Sequence, residues 1–172
     1  MKGLQPIALL LLAGAATVGA IASRALASGA ADNDTGIQLP PGYRDWRLIS
    51  VAHEEGNLND LRAILGNDPA IKAYRDGTLP FPDGTIIARL AWTHTPSEEN
   101  NKVFGRDQSF IAGAATNIQL MVKDSKKYGE TGGWGFAQFT NGKPAGEAII
   151  KTCFSCHAPA KAHDYVFTRY AP

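Results

Sequence analysis

Five residues near the C-terminus, Cys153-Phe154-Ser155-Cys156-His157, constrain this chain more than any other feature. They hold both of its cysteines and one of its four histidines. Scattered at random over this length, those residues would fall into this arrangement roughly once in a few thousand sequences. The spacing has a chemical meaning. Two thiols three positions apart on a helical turn point the same way, and they can add to the two vinyl groups of one haem. The imidazole beside the second thiol then lies where its ring nitrogen can bind iron, which accepts a histidine readily. The motif therefore predicts one haem c, held by two thioethers through Cys153 and Cys156, with His157 on the iron. The other ring nitrogen of such a histidine normally donates to a carbonyl or carboxylate that fixes the ring.

Three rival uses of the same residues stand beside this one. A Cys153–Cys156 disulfide suits an oxidising compartment, and CxxC pairs do redox work in thioredoxin-like folds. No βαβ pattern surrounds the motif, however, and it sits at the far end of the chain. A zinc site could recruit His157 and His163. Structural zinc usually places its second ligand pair farther away, and a histidine directly beside Cys156 suits a tetrahedron poorly. The third rival is two cysteines together by chance.

The N-terminus has the pattern of an export signal. Lys2 leads into an apolar run from Ile7 to about Ala22, and Ala25-Leu26-Ala27 carries small residues where a signal peptidase reads. Cleavage is expected after Ala27, leaving residues 28–42 as a flexible lead-in and 43–172 as the folded domain. An uncleaved anchor is the alternative, but the run is short and rich in Ala and Gly rather than Leu and Ile. Export of this kind places the protein in the periplasm. Removing the signal takes Lys2 and Arg24 from the 17 basic groups and none from the 16 acidic ones, so the charges nearly balance. Without a basic run, nucleic acid is not an expected partner.

The body of the chain alternates short apolar runs with turn signals. Strands are expected in RDWRLISVAHEEG, in LRAILGN, and in the β-branched run TIIARLAW after the Asp83-Gly84 turn. Further strands are expected over 109–113, over 117–124, and over 134–139, the last ending at Asn141-Gly142. A helix capped by Asp68 begins at Pro69 and stops at Gly77. Residues 94–108 are polar and read as a loop. A terminal helix over about 145–157 carries the cysteine motif and stops at Ala158-Pro159. The fold class is α+β, dominated by antiparallel sheet, with one short helix and one terminal helix.

From about Tyr43 to Pro172 the chain resembles the cytochrome P460 family, which includes the cytochromes c prime beta. The resemblance rests on YRDWRLISVAHEEGN, on DPAIKAYRDGTLPFPDGTIIARL, on GGWGFAQF, and above all on CFSCHAPAKAHDYVFTRY. It implies a β-rich, commonly dimeric domain with a histidine on one face of the haem iron and the other face open to a small ligand. Family members bind nitric oxide or oxidise hydroxylamine to nitrogen oxides. In the hydroxylamine-oxidising members a lysine on the strand after the Pro-Gly turn is bonded to the haem edge; here that position is Arg89. A guanidinium stays protonated and is a poor nucleophile, so no such cross-link is expected. Lys72 and Lys102, the nearest lysines considered, lie off that strand.

What occupies the sixth iron position decides between three functions. An open position suits a protein that binds or converts small nitrogen species; a Met or His there suits a plain electron carrier with a redox partner; a zinc or disulfide module needs no haem at all. Met121, in an apolar strand, reads as core, and His53 and His94 as strand-end or surface residues. His163 is too close to His157 to reach the opposite face. Phe81, Trp92, Phe104, Phe110, Trp134, Phe136 and Phe139 can wall a dry pocket or simply fill the core. Arg89, pointing inward, would be the catalytic candidate, able to donate to an iron-bound ligand; a strand-edge role is the alternative. Lys161 and Arg169 would face haem propionates or water.

Overall fold

The computed structural model describes residues 35–171. The expected signal peptide and the first part of the lead-in lie outside the described residues. Six strands form one sheet in chain order: β1 (Arg47–Glu54), β2 (Asp60–Gly66), β3 (Ile86–Pro96), β4 (Phe110–Lys123), β5 (Trp134–Thr140) and β6 (Lys143–Pro144). Every neighbouring pair is antiparallel. Helix α1 (Asp68–Asp76) is inserted between β2 and β3, α2 (Glu98–Phe104) between β3 and β4, and α3 (Glu147–His157) follows the sheet. The expected α+β fold with mainly antiparallel sheet and a C-terminal helix is what is found. None of the described helices is long and apolar enough to cross a membrane.

Strand side chains alternate between faces, and here each face has its own apolar cluster. Ile64, Ile87, Met121, Trp134 and Phe136 point to the side covered by Ile71 of α1 and by the C-terminal segment. Leu65, Ala88, Leu90, Leu120, Ala137 and Phe139 point the other way, where Ile37 is buried against them. The last residues of the lead-in are thus packed on the sheet rather than free of it.

Three local expectations need correction. The cap of α1 is Asn67, not Asp68: its Oδ1 accepts from Ala70 N–H at 3.2 Å, while Gly77 ends the helix in the left-handed region at φ 63° as expected. The 94–108 segment is not a loop. Strand β3 runs on to Pro96, and Ser97 caps α2 by accepting from Asn100 N–H. That helix lacks an apolar stripe, so periodicity could not reveal it; its one buried side chain, Asn101, instead accepts from Gln108 and Ser109 N–H. Residues 109–113 and 117–124 belong to one 14-residue strand, β4, rather than two. Helix α3 ends at His157, before Ala158-Pro159 as expected, and a 3-10 turn follows to His163. At the β5–β6 hairpin the Asn141-Gly142 signal does hold, with φ 51° and 74°.

Asn67 also accepts from Ile86 N–H at 3.0 Å and donates to the Gly84 carbonyl at 2.8 Å, joining the start of α1 to the start of β3. Asn67→Ala should therefore cost about 1–2 kcal/mol, at the upper end for a lost cap. Urea unfolding followed by circular dichroism measures it.

Candidate cofactor site

Along α3, Ile150, Cys153 and Phe154 recur at helical spacing and turn one face to the sheet, where they pack on the cluster around Phe136 and Trp134. Cys153 and Cys156 are one turn apart. Both are free thiols, the first half-buried and the second exposed. Burial, and secondarily the neighbouring Cys156, push the Cys153 thiol upward in pKa, so it stays protonated near neutrality. Its Sγ lies 3.6 Å from the Ile149 carbonyl.

His157 closes α3. Beyond the 3-10 turn the chain doubles back through Asp164 and Tyr165, two consecutive non-glycine residues in the left-handed region at φ 52° and 65°. That reversal brings the Tyr165 carbonyl to 2.7 Å from His157 Nδ1. A carbonyl can only accept, so Nδ1 carries the proton and Nε2 is left with the lone pair that binds a metal. Burial pulls the His157 pKa below its ordinary value, partly opposed by the Tyr165 carbonyl, and so favours the neutral ring that can ligate. The imidazole is flanked by Phe136 at 5.1 Å and Phe167 at 5.0 Å between ring centres. Phe167 is 61% exposed, an apolar ring beside the imidazole with little protein over it.

The doubled-back loop is held from several sides. The Asp164 carboxylate takes Lys123 Nζ at 2.8 and 2.9 Å and Phe81 N–H at 2.9 Å. Trp134 Nε1 donates to the Asp164 carbonyl at 2.7 Å. Lys123 Nζ also reaches the Gly132 carbonyl at 3.0 Å and lies 4.9 Å from the Trp134 ring centre. The Tyr165 ring presses on Gly132 so closely that a Cβ there would fall 2.1 Å from Cε2. Only glycine fits, and its φ of 68° suits glycine as well.

Arg89 stands on the same sheet face. Its cross-strand row, Ile64, Arg89, Gln119 and Gln138, lies next to the row of Ile87, Met121 and Phe136. This half of the face is polar and only partly covered. Arg89 Nη2 bonds Asp60 at 2.7 Å and Nη1 bonds Asn117 at 2.9 Å. Arg62 grips the other oxygen of Asp60 at 2.7 Å. Burial first, and then the like charge of Arg62, pull the Arg89 pKa down, with Asp60 opposing. Arg89 Nε is buried and has no partner. The arginine therefore points to the α3 side, as an inward-facing candidate must, but two of its nitrogens are already committed.

Cys153, Cys156 and His157 come together on one helix, and Arg89 shares their side of the sheet. The expected aromatic wall divides. Phe81, Trp134 and Phe136 lie on the α3 side, Trp92 and Phe139 pack on the opposite face, and Phe104 and Phe110 are exposed. The rings that border the histidine are Phe136 and Phe167; Phe154 packs between Phe136 and Tyr165, and sequence spacing did not single out Phe154, Tyr165 or Phe167. Met121 is buried in the core cluster. His53 and His94 stack on each other at 4.1 Å, with Phe110 on His94. His163 pairs with Arg169. Among the described residues no group of three or more His, Cys, Asp or Glu is placed to hold a metal ion. Two unpaired thiols on one helical turn, a neutral imidazole with Nε2 free, and an uncovered aromatic ring beside it fit a covalently held haem.

The family model described as cytochrome P460 matches residues 40–168. No curated protein matches the chain.

Proposed function

The chain belongs to the cytochrome P460 family and is accordingly a c-type haem protein, and we propose that it is an exported one whose iron would be open to small nitrogen species such as nitric oxide or hydroxylamine. Cys153 and Cys156 would hold a single haem through two thioethers, and His157 Nε2 would be the protein ligand to its iron. When bound, the haem supplies an iron that can take up a small ligand and change oxidation state. The observation that carries this reading is the His157 Nδ1 bond to the Tyr165 carbonyl, which commits one nitrogen and orients the other. The open position is supported by where the remaining candidate ligands sit: Met121 in the core, His53 and His94 on each other, His163 on Arg169.

The test is an absorption spectrum of the reduced protein with and without carbon monoxide. A prompt shift of the main band is expected. An unchanged band would mean a sixth protein ligand and an electron carrier instead.

Arg89 is the residue we assign to the bound ligand. Its unpartnered Nε is a buried donor on the correct face, and buried donors are seldom left unused. Binding is favoured over hydroxylamine oxidation because a guanidinium is a poor nucleophile; the haem peptide should show two thioethers by mass spectrometry and no third bond. Arg89→Gln leaves Asp60 its partner Arg62. It should weaken nitric oxide binding about tenfold, the effect of one charged hydrogen bond worth about 1.5 kcal/mol, measured from the dissociation rate. An unchanged rate would return Arg89 to a structural role.

The leader-like pattern of residues 1–27 supports export to the periplasm, with a mature N-terminus at Ser28 that sequencing would reveal. There a redox partner protein would exchange electrons with it. Val103, Phe104, Phe110 and Ile111 are exposed apolar residues around the end of α2 and the start of β4, a surface suited to a second copy. Light scattering should return twice the monomer mass.

A further inference from the structure

We propose that the buried Lys123–Asp164 ion pair is a positioning device for the imidazole of His157: it fixes the Tyr165 carbonyl that accepts from Nδ1, and so sets how strongly Nε2 donates to iron. The inference rests on the reading of His157 as the iron ligand.

The argument begins with the backbone. Asp164 and Tyr165 both adopt a left-handed conformation that side chains other than glycine avoid. Such a pair persists only where the surroundings over-determine it. Lys123 and Asp164 supply that determination. Their side chains are 6% and 7% exposed, and each is saturated: the ammonium meets both carboxylate oxygens and the Gly132 carbonyl, and the carboxylate also accepts from Phe81 N–H. The pair joins β4, the segment before β3 and the loop after α3. From Asp164 the constraint passes along one peptide unit to the Tyr165 carbonyl, 2.7 Å from Nδ1.

A carbonyl held at that distance draws the Nδ1 proton and leaves the ring richer in electrons at Nε2. Partners of this kind tune ligand basicity and are worth 10–100-fold when lost. A more basic imidazole stabilises ferric over ferrous iron. The Lys123–Asp164 pair touches neither iron nor substrate and acts only through this carbonyl.

The test uses haem-loaded protein carrying Lys123→Met together with Asp164→Asn. Removing both charges avoids stranding either one, and Asn tolerates the positive φ at 164. Haem content should match the parent. The ferrous iron–imidazole stretching frequency, read by resonance Raman, should fall. The oxidation equilibrium should move about tenfold toward ferrous, a rise of about 59 mV in midpoint potential. Trp134→Phe removes the indole bond to the Asp164 carbonyl and part of the ring beside Lys123 Nζ while leaving both charges in place, and should move both readouts in the same direction by less; it decides the matter should the double variant fail to load haem. A merely structural role would lower the melting temperature and leave frequency and potential where they were, and that result in either loaded variant overturns the inference. A parent protein with attached haem but no iron–imidazole band would instead overturn the assignment of His157 itself.

Discussion

Replacing both cysteines, Cys153→Ala with Cys156→Ala, should abolish covalent haem: denaturing electrophoresis followed by haem staining should leave the band at background. Each single variant should keep at most one thioether and mature poorly, since one thiol remains to add to one vinyl group. The two positions are not equivalent. Cys153 packs on the core cluster beside Ile150 and Phe154, so its link would be seated on the rigid part of the domain. Cys156 is exposed, and its loss should disturb the helix less. Cys153→Ala is therefore expected to give the lower yield of coloured protein from a host able to attach haem. A double variant that stains like the parent would sink the thioether assignment altogether.

The Cys153–His157 motif was legible because its spacing is local: three side chains on one helical turn need nothing from the rest of the chain. The same holds for the strands with β-branched residues and for the Asn141-Gly142 hairpin, where residue type dictates backbone conformation. What sequence could not show is how His157 is held. Its partner is a backbone carbonyl, which every residue possesses, presented by a loop whose anchor Lys123 lies 41 positions away from Asp164. A lysine at the end of an apolar strand reads as a solvated charge until its carboxylate is found. Helix α2 escaped for a related reason: its stability comes from Ser97 and Gly105 at its ends and from Asn101 bonding the next loop, not from an apolar face. Between wall and core, strand parity decides: Phe139 is one residue out of phase with Phe136 and Gln138 and fills the core on the far face. Arg89 is the instructive intermediate. Strand alternation after Ile87 put it on the correct face, but nothing in the sequence around it announced that Asp60 and Asn117 would occupy two of its nitrogens.

Lys123→Met alone should destabilise the folded domain by about 3–5 kcal/mol, the cost of leaving one member of a buried ion pair without the other. The Asp164 carboxylate would then keep only Phe81 N–H, and the Gly132 carbonyl would lose its donor. Asp164→Asn strands the ammonium, yet an amide oxygen can still accept from Phe81 N–H and from Lys123 itself, so its cost should be the smaller of the two. With both changed, no charge is left buried, and a neutral pair of similar volume is often no worse than the ions it replaces. The double variant should therefore be more stable than Lys123→Met, which makes the coupling between the two sites strongly non-additive. For a domain of this size the Lys123→Met loss lowers the melting temperature by roughly 10 °C, at about 2–4 °C per kcal/mol. Urea unfolding of the four proteins, each with its haem content matched, measures the cycle. Additive effects would mean that the two charges do not depend on each other in the folded state, and the loop that carries Tyr165 to His157 would then have to be held by the Trp134 indole and the close seat on Gly132 alone.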